Sequence, residues 1–148
     1  MKTMKVSPPI LYKWFVILML VSAFLPVPKQ IHFPLNLIGI IFFAAGVYVA
    51  IDTKRMFMKT STPISHLADP IKLHTNGIFR FTRNPMYLGI SIGLAGIAIL
   101  TGIIFNLAFS ILYLILMDVL FVRQEEEKLE NEFGESYQQY KKRTRRWL

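Results

Sequence analysis

Cysteine is absent from this sequence of 148 residues. Without a thiol, the chain forms no disulfide, offers no thiolate ligand to a metal and has no cysteine nucleophile. The histidines His32, His66 and His74 are scattered and lack the spacing of paired metal ligands. We therefore expect no metal site.

Acidic residues are also scarce, since 9 aspartates and glutamates stand against 17 lysines and arginines, a net charge of +8. A basic chain can bind nucleic acid, but these basic residues cluster at the ends of apolar segments, where they fit membrane topology and anionic lipid better. Hydrophobic residues make up 53% of the chain, which is typical of a small polytopic membrane protein. We predict one integral-membrane domain over residues 1–148 whose partner is the lipid bilayer and not a nucleic acid.

Four apolar stretches approach the length that a helix needs to cross a bilayer, about 20 residues. The predicted spans lie at about residues 10–27, 34–51, 85–101 and 103–122. The first follows a basic N-terminus and contains Val21, Ser22 and Ala23, so a cleavable signal sequence is an alternative to a retained helix there. Tyr12 and Trp14 would lie in the membrane interface, which favours the retained helix.

Small residues and tight turns indicate how the spans pack. A tight turn at Thr101 and Gly102 joins the last two spans, which predicts a helical hairpin whose turn Asn106 helps to cap. Glycines and alanines would let neighbouring helices approach the second and third spans closely. These small residues are Gly39, Ala44, Ala45, Gly46 and Ala50 in the second span and Gly89, Gly93 and Gly96 in the third.

Nearly all lysines and arginines lie in the N-terminus, the polar interval 52–84 and the C-terminal tail, whereas Lys29 falls on the other side. The second span is expected to leave the membrane at residues 52–55. By the positive-inside rule, both termini are then cytoplasmic. The predicted fold class is all-α: a polytopic membrane protein with four transmembrane helices, the last two a helical hairpin, and a cytoplasmic C-terminal helical tail. The interval 52–84 and the tail should meet on one face.

The junction before the third span has an unusually specific composition. Asn84 followed by Pro85 predicts an N-cap and the first residue of a helix. Arg80 and Arg83 precede that helix, next to the positive end of its dipole. Two interpretations follow: arginines that meet lipid phosphate at the membrane surface, or a site for an anionic ligand.

Acidic residues follow the fourth span. Asp118 lies about one turn from its cytoplasmic end, where a carboxylate is either a functional group or a structural partner of Arg123. Glu125 and Glu126 project about 100° apart on a helix, so at most one of them should face a given pocket. The alternative for this acidic run is a solvated helix face.

The tail is expected to break at Gly134 and to end in an amphipathic segment, 137–146. Its lysines and arginines, beside Trp147, suit a helix that lies on anionic lipid.

Three motifs, in this order, resemble a known family. Residues 77–89 read GIFRFTRNPMYLG, residues 125–129 read EEEKL and residues 133–140 read FGESYQQY. Their combination resembles the integral-membrane methyltransferases of the isoprenylcysteine carboxyl methyltransferase and phospholipid methyltransferase group, over about residues 71–148. The resemblance implies methyl transfer from S-adenosylmethionine to a lipidic or small hydrophobic acceptor (a carboxylate, thiol or amine), without a Rossmann domain.

The same resemblance implies a cofactor site built from residues 71–89 and 123–140. The implied cofactor contacts are Leu73, His74, Phe79, Asn84, Pro85, Met86, Tyr87, Glu125 and Glu126. Candidate catalytic residues are Arg83, which would hold the cofactor carboxylate, Arg123, and Asp118, a candidate base for an amine acceptor.

The chain departs from the family pattern at three positions. The family usually has histidine at the position of Asn84 and often tyrosine at that of Phe79. An arginine of the prenylcysteine enzymes falls at Phe121, which argues against a prenylated cysteine carboxylate as the acceptor.

Two other classes of function stay open at this point. One is an NADPH-dependent membrane reductase of the sterol reductase type, which shares similarity in this C-terminal region. The other is a non-catalytic membrane protein, such as an assembly factor or a transporter subunit. The spans contain few polar residues apart from Asp118, which disfavours a transport path.

Overall fold

The computed structural model describes residues 7–60 and 70–148, so the first six residues and His66 lie outside it. The regular structure within those ranges is entirely helical, which confirms the all-α class. The α-helices are α1 (Pro8–Phe24), α2 (Ile38–Lys59), α3 (Pro85–Thr101), α4 (Asn106–Met117) and α5 (Arg123–Arg143). Short 3-10 turns occupy Leu35–Leu37 and Gly77–Arg80, and a π-helical turn, Asp118–Val122, joins α4 to α5.

The helix of the second predicted span continues beyond the predicted membrane exit. Helix α2 continues through residues 52–55 and ends at Lys59, because the chain contains neither glycine nor proline between Val47 and Lys59 to stop it. Thr53 is fully buried within this extension, and its hydroxyl donates to the carbonyl of Val49 at 2.8 Å. The helix therefore projects beyond its apolar part and reaches the polar end of the molecule.

The predicted hairpin of α3 and α4 is confirmed. Gly102 ends α3 in the left-handed conformation (φ 76°), which glycine adopts without a steric penalty. The side-chain amide of Asn106 donates to the hydroxyl of Thr101 at 3.0 Å and to that of Ser22 at 2.9 Å. Asn106 thus caps the turn, as expected, and also ties α1 to it.

Helix α3 lies at the centre of the helical arrangement and contacts α1, α2 and α4. Glycines of α2 and α3 bring these two backbones together, and Gly39, Gly46, Gly89 and Gly96 all lie in the contact. Ala44 and Ala45 are exposed and lie outside this contact. A core cluster fills the space between α1, α3 and α4, with Phe15, Met19, Leu94, Tyr113 and Met117 among its members.

Large apolar side chains cover the outer faces of the helices. Trp14 and Ile17 on α1 and Ile41 and Tyr48 on α2 are among those exposed, a distribution that indicates a membrane protein. The segments Leu35–Lys59 and Asn106–Arg143 are long and apolar enough to cross a membrane, and α1 and α3 are apolar helices of 17 residues each.

The helices alternate in direction, so their connections meet at two ends. At one end, the backbone N–H groups of Gln30 and Ile31 donate to the carbonyl of Gly102 at 2.8 and 3.0 Å. The opposite end holds the start of α3, the polar end of α2 and the beginning of α5. Residues 70–84 and the tail therefore share the second end.

Candidate functional site

The loop before α3 has the local structure that its sequence predicts. Asn84 is the N-cap residue and Pro85 the first residue of the helix. The side chain of Asn84 forms no capping hydrogen bond, and its amide nitrogen lies 3.4 Å from the carbonyl of Arg146. Its backbone N–H donates to the hydroxyl of Thr82 at 3.2 Å. The loop is therefore held by the C-terminal tail as well as by its own turn.

Helix α5 bends at Gly134, where the backbone leaves the helical conformation (φ 48°), as the sequence predicts. The two arms lie against each other, and Lys141 on the second arm pairs with Glu130 on the first at 2.9 Å. This bend returns the chain toward the loop before α3.

The end of the tail is hydrogen-bonded along that loop. Thr82 donates its hydroxyl to the carbonyl of Arg146 at 2.8 Å, and the backbone N–H of Arg83 donates to that of Arg145 at 3.0 Å. The hydroxyl of Tyr140 donates to the carbonyl of Phe79 at 2.7 Å. We call this contact between residues 79–84 and 140–146 the loop–tail clamp. The sequence did not predict the loop–tail clamp, because residues 144–146 lie beyond the last of the three motifs, which ends at residue 140.

Beneath the clamp, five charged side chains form a continuous ion network. Nε and Nη2 of Arg83 donate to Oε1 of Glu126 at 3.0 and 2.8 Å, and Nη2 of Arg146 donates to Oε2 of the same carboxylate at 2.7 Å. Asp118 accepts from Arg146 at 3.0 Å and from Arg123 at 3.1 Å. The anion next to Arg83 is thus Glu126 of the same chain, which neither interpretation of the arginines foresaw.

Glu126 is the most enclosed member of this network, with 6% of its surface exposed. Burial alone would raise the pKa of its carboxyl group, but the hydrogen bonds from Arg146 and Arg83 outweigh burial and hold the pKa below its usual value. The carboxylate is therefore charged at neutral pH and fixes two arginines at once.

Glu125 points elsewhere, as the angular spacing on a helix predicts. Its carboxylate accepts a hydrogen bond from the hydroxyl of Tyr87 at 2.6 Å. Burial raises the pKa of Glu125, and neither the hydrogen bond from Tyr87 nor the nearby charge of Lys128 reverses the shift. The solvated-face alternative was wrong for Glu125 and Glu126, because each side chain is committed to a partner on the junction before α3 or in its first turn.

Aromatic side chains also pack against the loop. The ring of His74 stacks on Phe79 with centroids 5.4 Å apart and meets the edge of Phe57 at 5.2 Å. Phe79 is buried in a second cluster with Tyr137 and Tyr140, against which Leu73 packs. The aromatic residues therefore bind loop and tail together beside the ion network.

The structure brings most of the predicted site residues into two groups at one end of the bundle. One group surrounds the start of α5 and contains Tyr87, Glu125, Arg83, Glu126, Asp118 and Arg123. The other group is the aromatic side and contains Leu73, His74 and Phe79. The start of α3 holds Asn84, Pro85 and Met86. An open cleft of about 460 Å³ adjoins the network, lined in part by Arg123, Lys141 and Arg146. Within the described residues, no cluster of three or more His, Asp or Glu side chains has the geometry of a metal site.

The surroundings of His74 predict that the stability of the protein depends on pH. Burial, and then the charge of Lys72, lower its pKa from 6.5. The unfolded chain therefore binds the proton more readily, and the free energy of unfolding should fall as the pH drops below 6.5, levelling off once folded His74 is also protonated.

We expect His74→Gln to flatten the pH dependence of the thermal unfolding midpoint between about pH 7.5 and pH 5.5. The matched control is His32→Gln, at an exposed histidine of the opposite end; a flatter profile in that variant, and not in His74→Gln, would contradict the assignment.

The model of the phospholipid methyltransferase family matches residues 35–136, more than half of the chain. The match covers α2, the junction before α3, the hairpin and the first arm of α5. No curated protein and no solved structure is significantly similar to the chain. The match confirms the resemblance carried by the sequence motifs and indicates an enzyme that transfers methyl groups to a lipid-related substrate. This chain belongs to the phospholipid methyltransferase family.

Proposed function

We propose that the protein transfers a methyl group from S-adenosylmethionine to a lipidic or small hydrophobic acceptor at the cytoplasmic face of a membrane. The observation that carries this proposal is the 2.6 Å hydrogen bond between Tyr87 and Glu125. It joins the start of α3 to the start of α5, the two segments to which the family resemblance assigns the cofactor. Residues 1–148 act as a single catalytic domain.

We place four spans in the membrane, corresponding to α1, α2, α3, and α4 with the turn that follows it. The exposed apolar side chains of α1 and α2 support lipid contact along their outer faces. The polar end carries Arg80, Arg83, Arg123 and the basic tail, so the positive-inside rule orients that end toward the cytoplasm. A water-soluble cofactor then reaches the site from the cytoplasm, while a lipidic acceptor enters from the bilayer between helices.

The chain offers groups that suit each part of the cofactor. The Glu125 carboxylate is suited to accept hydrogen bonds from ribose hydroxyls or an amino group, with Glu126 behind it. The aromatic pair His74 and Phe79, with Leu73, is suited to the adenine. The first turn of α3, from Asn84 through Pro85 and Met86 to Tyr87, is the positive end of a helix of 17 residues and would suit the carboxylate of the methionine moiety.

S-adenosylmethionine supplies a methyl group already activated on a sulfonium, so the chain mainly has to align donor and acceptor. A carboxylate or thiolate acceptor needs no general base, whereas an amine must lose its proton before it attacks. The ion pairs of Arg83, Arg123 and Asp118 suit a positioning role, in which these residues hold the tail and Glu125 against the loop.

The decisive experiment is calorimetric titration of the detergent-purified protein with S-adenosylhomocysteine, the product form of the cofactor. Tyr87→Phe removes the hydrogen bond between these residues and Glu125→Gln weakens it. Each variant should weaken binding about tenfold, the size expected for a hydrogen bond to a charged group. Phenylalanine keeps the ring that packs in the core, so the first variant tests the hydroxyl and not the packing.

Tyr48→Phe is the matched control, since Tyr48 is exposed on the outer face of α2 and should tolerate the change. NADPH is titrated beside S-adenosylhomocysteine. Saturable binding of NADPH in place of S-adenosylhomocysteine would refute the proposal in favour of a reductase. Binding of neither ligand by well-folded protein would favour a non-catalytic role.

A further inference from the structure

The outer side of the loop–tail clamp differs in character from its inner side. Thr144 has an extended backbone (φ −128°, ψ 129°), and the side chains that follow it alternate between the inside and the outside. Thr144 is buried and Arg146 turns inward to Glu126, whereas Arg145 is exposed. The clamp therefore directs one set of side chains into the ion network and leaves another set on the surface.

The loop that faces the tail shows the same division. Thr82 and Arg83 point inward, while Arg80 and Phe81 are exposed. Phe81 is 70% exposed and Leu148, at the end of the tail, is 73% exposed. We call the surface formed by Arg80, Phe81, Arg145 and Leu148 the outer patch.

The outer patch combines positive charge with exposed apolar surface. Lys142 and Arg143 are exposed immediately before the tail becomes extended, and they add to the charge. The nearby carboxylates Glu126 and Asp118 are turned inward and paired with arginines. The surface therefore presents cations and large apolar side chains together, and Nη1 of Arg145 also donates to the main-chain oxygen of Leu148 at 3.5 Å.

The location of the patch decides which partner it fits. Phe81 lies four residues before the first residue of α3, an apolar helix that we place in the membrane. An aromatic residue and arginines at that level correspond to the interfacial region of a bilayer, where rings enter the boundary of the acyl chains and guanidinium groups meet phosphate. A nucleic acid would match the charge but would leave the apolar side chain of Leu148 in water.

We propose that the outer patch docks on anionic phospholipid headgroups at the cytoplasmic surface of the bilayer, with Arg80 and Arg145 on the phosphates and with Phe81 and Leu148 inserted between the lipids. Because the same two segments form the clamp over Glu126, docking holds the clamp in place beside the candidate cofactor site. The proposal rests on the membrane placement given above and not on the identity of the methyl acceptor.

The chain contains no cysteine, so a single Phe81→Cys substitution can be labelled at one site with an environment-sensitive nitrobenzoxadiazole fluorophore. The labelled full-length protein is placed in nanodiscs of phosphatidylcholine alone or of phosphatidylcholine with phosphatidylglycerol. We expect a blue shift of the emission and at least twofold stronger quenching by brominated lipid when phosphatidylglycerol is present. Leu148→Cys, labelled in the same way, repeats the measurement at the other apolar position.

The double variant Arg80→Gln/Arg145→Gln should abolish the effect of phosphatidylglycerol. The double variant Lys54→Gln/Arg55→Gln removes the same charge from exposed positions of α2 and should leave the effect intact. Inorganic phosphate added to phosphatidylcholine nanodiscs should change nothing, because the bound species is lipid. Equal loss in both double variants, or a response to phosphate or to an oligonucleotide instead of lipid, would overturn the proposal.

Binding of S-adenosylhomocysteine is measured in the same nanodiscs and should strengthen with phosphatidylglycerol in the wild-type protein. A label that stays in water in every lipid, beside normal binding of S-adenosylhomocysteine, would refute lipid docking alone. A lipid-dependent label without any binding of S-adenosylhomocysteine would instead refute the proposed cofactor.

Discussion

Glu126→Gln is expected to detach the C-terminal tail from the loop before α3. The substitution removes the buried carboxylate that pairs with Arg83 at 2.8 Å and with Arg146 at 2.7 Å, and it leaves two guanidinium groups facing each other. Breaking a buried ion pair by removing one partner costs about 3–5 kcal/mol. The remaining amide oxygen still accepts one hydrogen bond, so the lower end of that range is expected.

Glu130→Gln is the matched control for this prediction. Glu130 pairs with Lys141 on the same two arms of α5, but both side chains are more than one-third exposed. A surface pair of this kind contributes little to stability, because water and salt screen the two charges. The two variants remove the same charge from the same helix, so a difference between them measures the effect of burial and of the second arginine.

The measurements are thermal unfolding in detergent and hydrogen exchange of the amide of Arg83, whose N–H donates to the carbonyl of Arg145. Faster exchange should appear in Glu126→Gln and not in Glu130→Gln. Equal exchange in the two variants would mean that the tail does not depend on the network.

The folded carboxyl group of Glu126 has a lowered pKa, so the stabilisation that it gives the folded protein is present above pH 4.5 and is lost as the pH falls below that value. Glu126→Gln should lack this acid dependence.

Local signals in the sequence predicted the local structure well. Asn84 and Pro85 marked the first turn of α3, Gly102 marked the hairpin and Gly134 marked the bend of α5, because each residue restricts or permits particular backbone angles whatever surrounds it. Gly134 could be placed in the same way without knowledge of what the second arm would contact.

The ion network could not be predicted, because its members come from three distant parts of the chain. Arg83, Glu126 and Arg146 meet only after the bend at Gly134 reverses the direction of α5. A sequence shows that charges are present, but the partner of each charge depends on this long-range geometry. The basic end of the chain was accordingly assigned wholly to the lipid surface, whereas Arg146 turns into the protein.

The extension of α2 was missed for a related reason. Polar residues at 52–55 indicate where a helix leaves the bilayer, but they do not end a helix, since lysine and arginine are good helix formers. The apolar boundary and the helical boundary are separate properties. Here they differ by several residues, and the difference brings Phe57 and Thr60 to the ring of His74.

Gly46→Leu is expected to prevent the apolar half of the molecule from assembling. The Cα of Gly46 faces α3, and a Cβ atom there would collide with the carbonyl of Gly89 and the backbone of Gly93. These are backbone atoms, which cannot turn aside as a flexible side chain can. The substitution therefore forces the two helices apart along their whole contact, beyond the roughly 1–3 kcal/mol that overpacking costs where side chains can adjust.

Ala45→Leu separates this effect from the general effect of a larger side chain in α2. Ala45 is the neighbouring residue and is exposed, so a leucine there adds apolar surface without meeting α3. We expect Ala45→Leu to elute as the wild-type protein does in size-exclusion chromatography and to keep its unfolding midpoint, whereas Gly46→Leu should aggregate.

Gly46→Leu should also lose binding of S-adenosylhomocysteine, because α2 carries Phe57 to the aromatic side of the site and α3 carries Tyr87 to Glu125. Normal assembly of Gly46→Leu would mean that α2 and α3 pack through another face, and the positions of both site groups would then have to change with it.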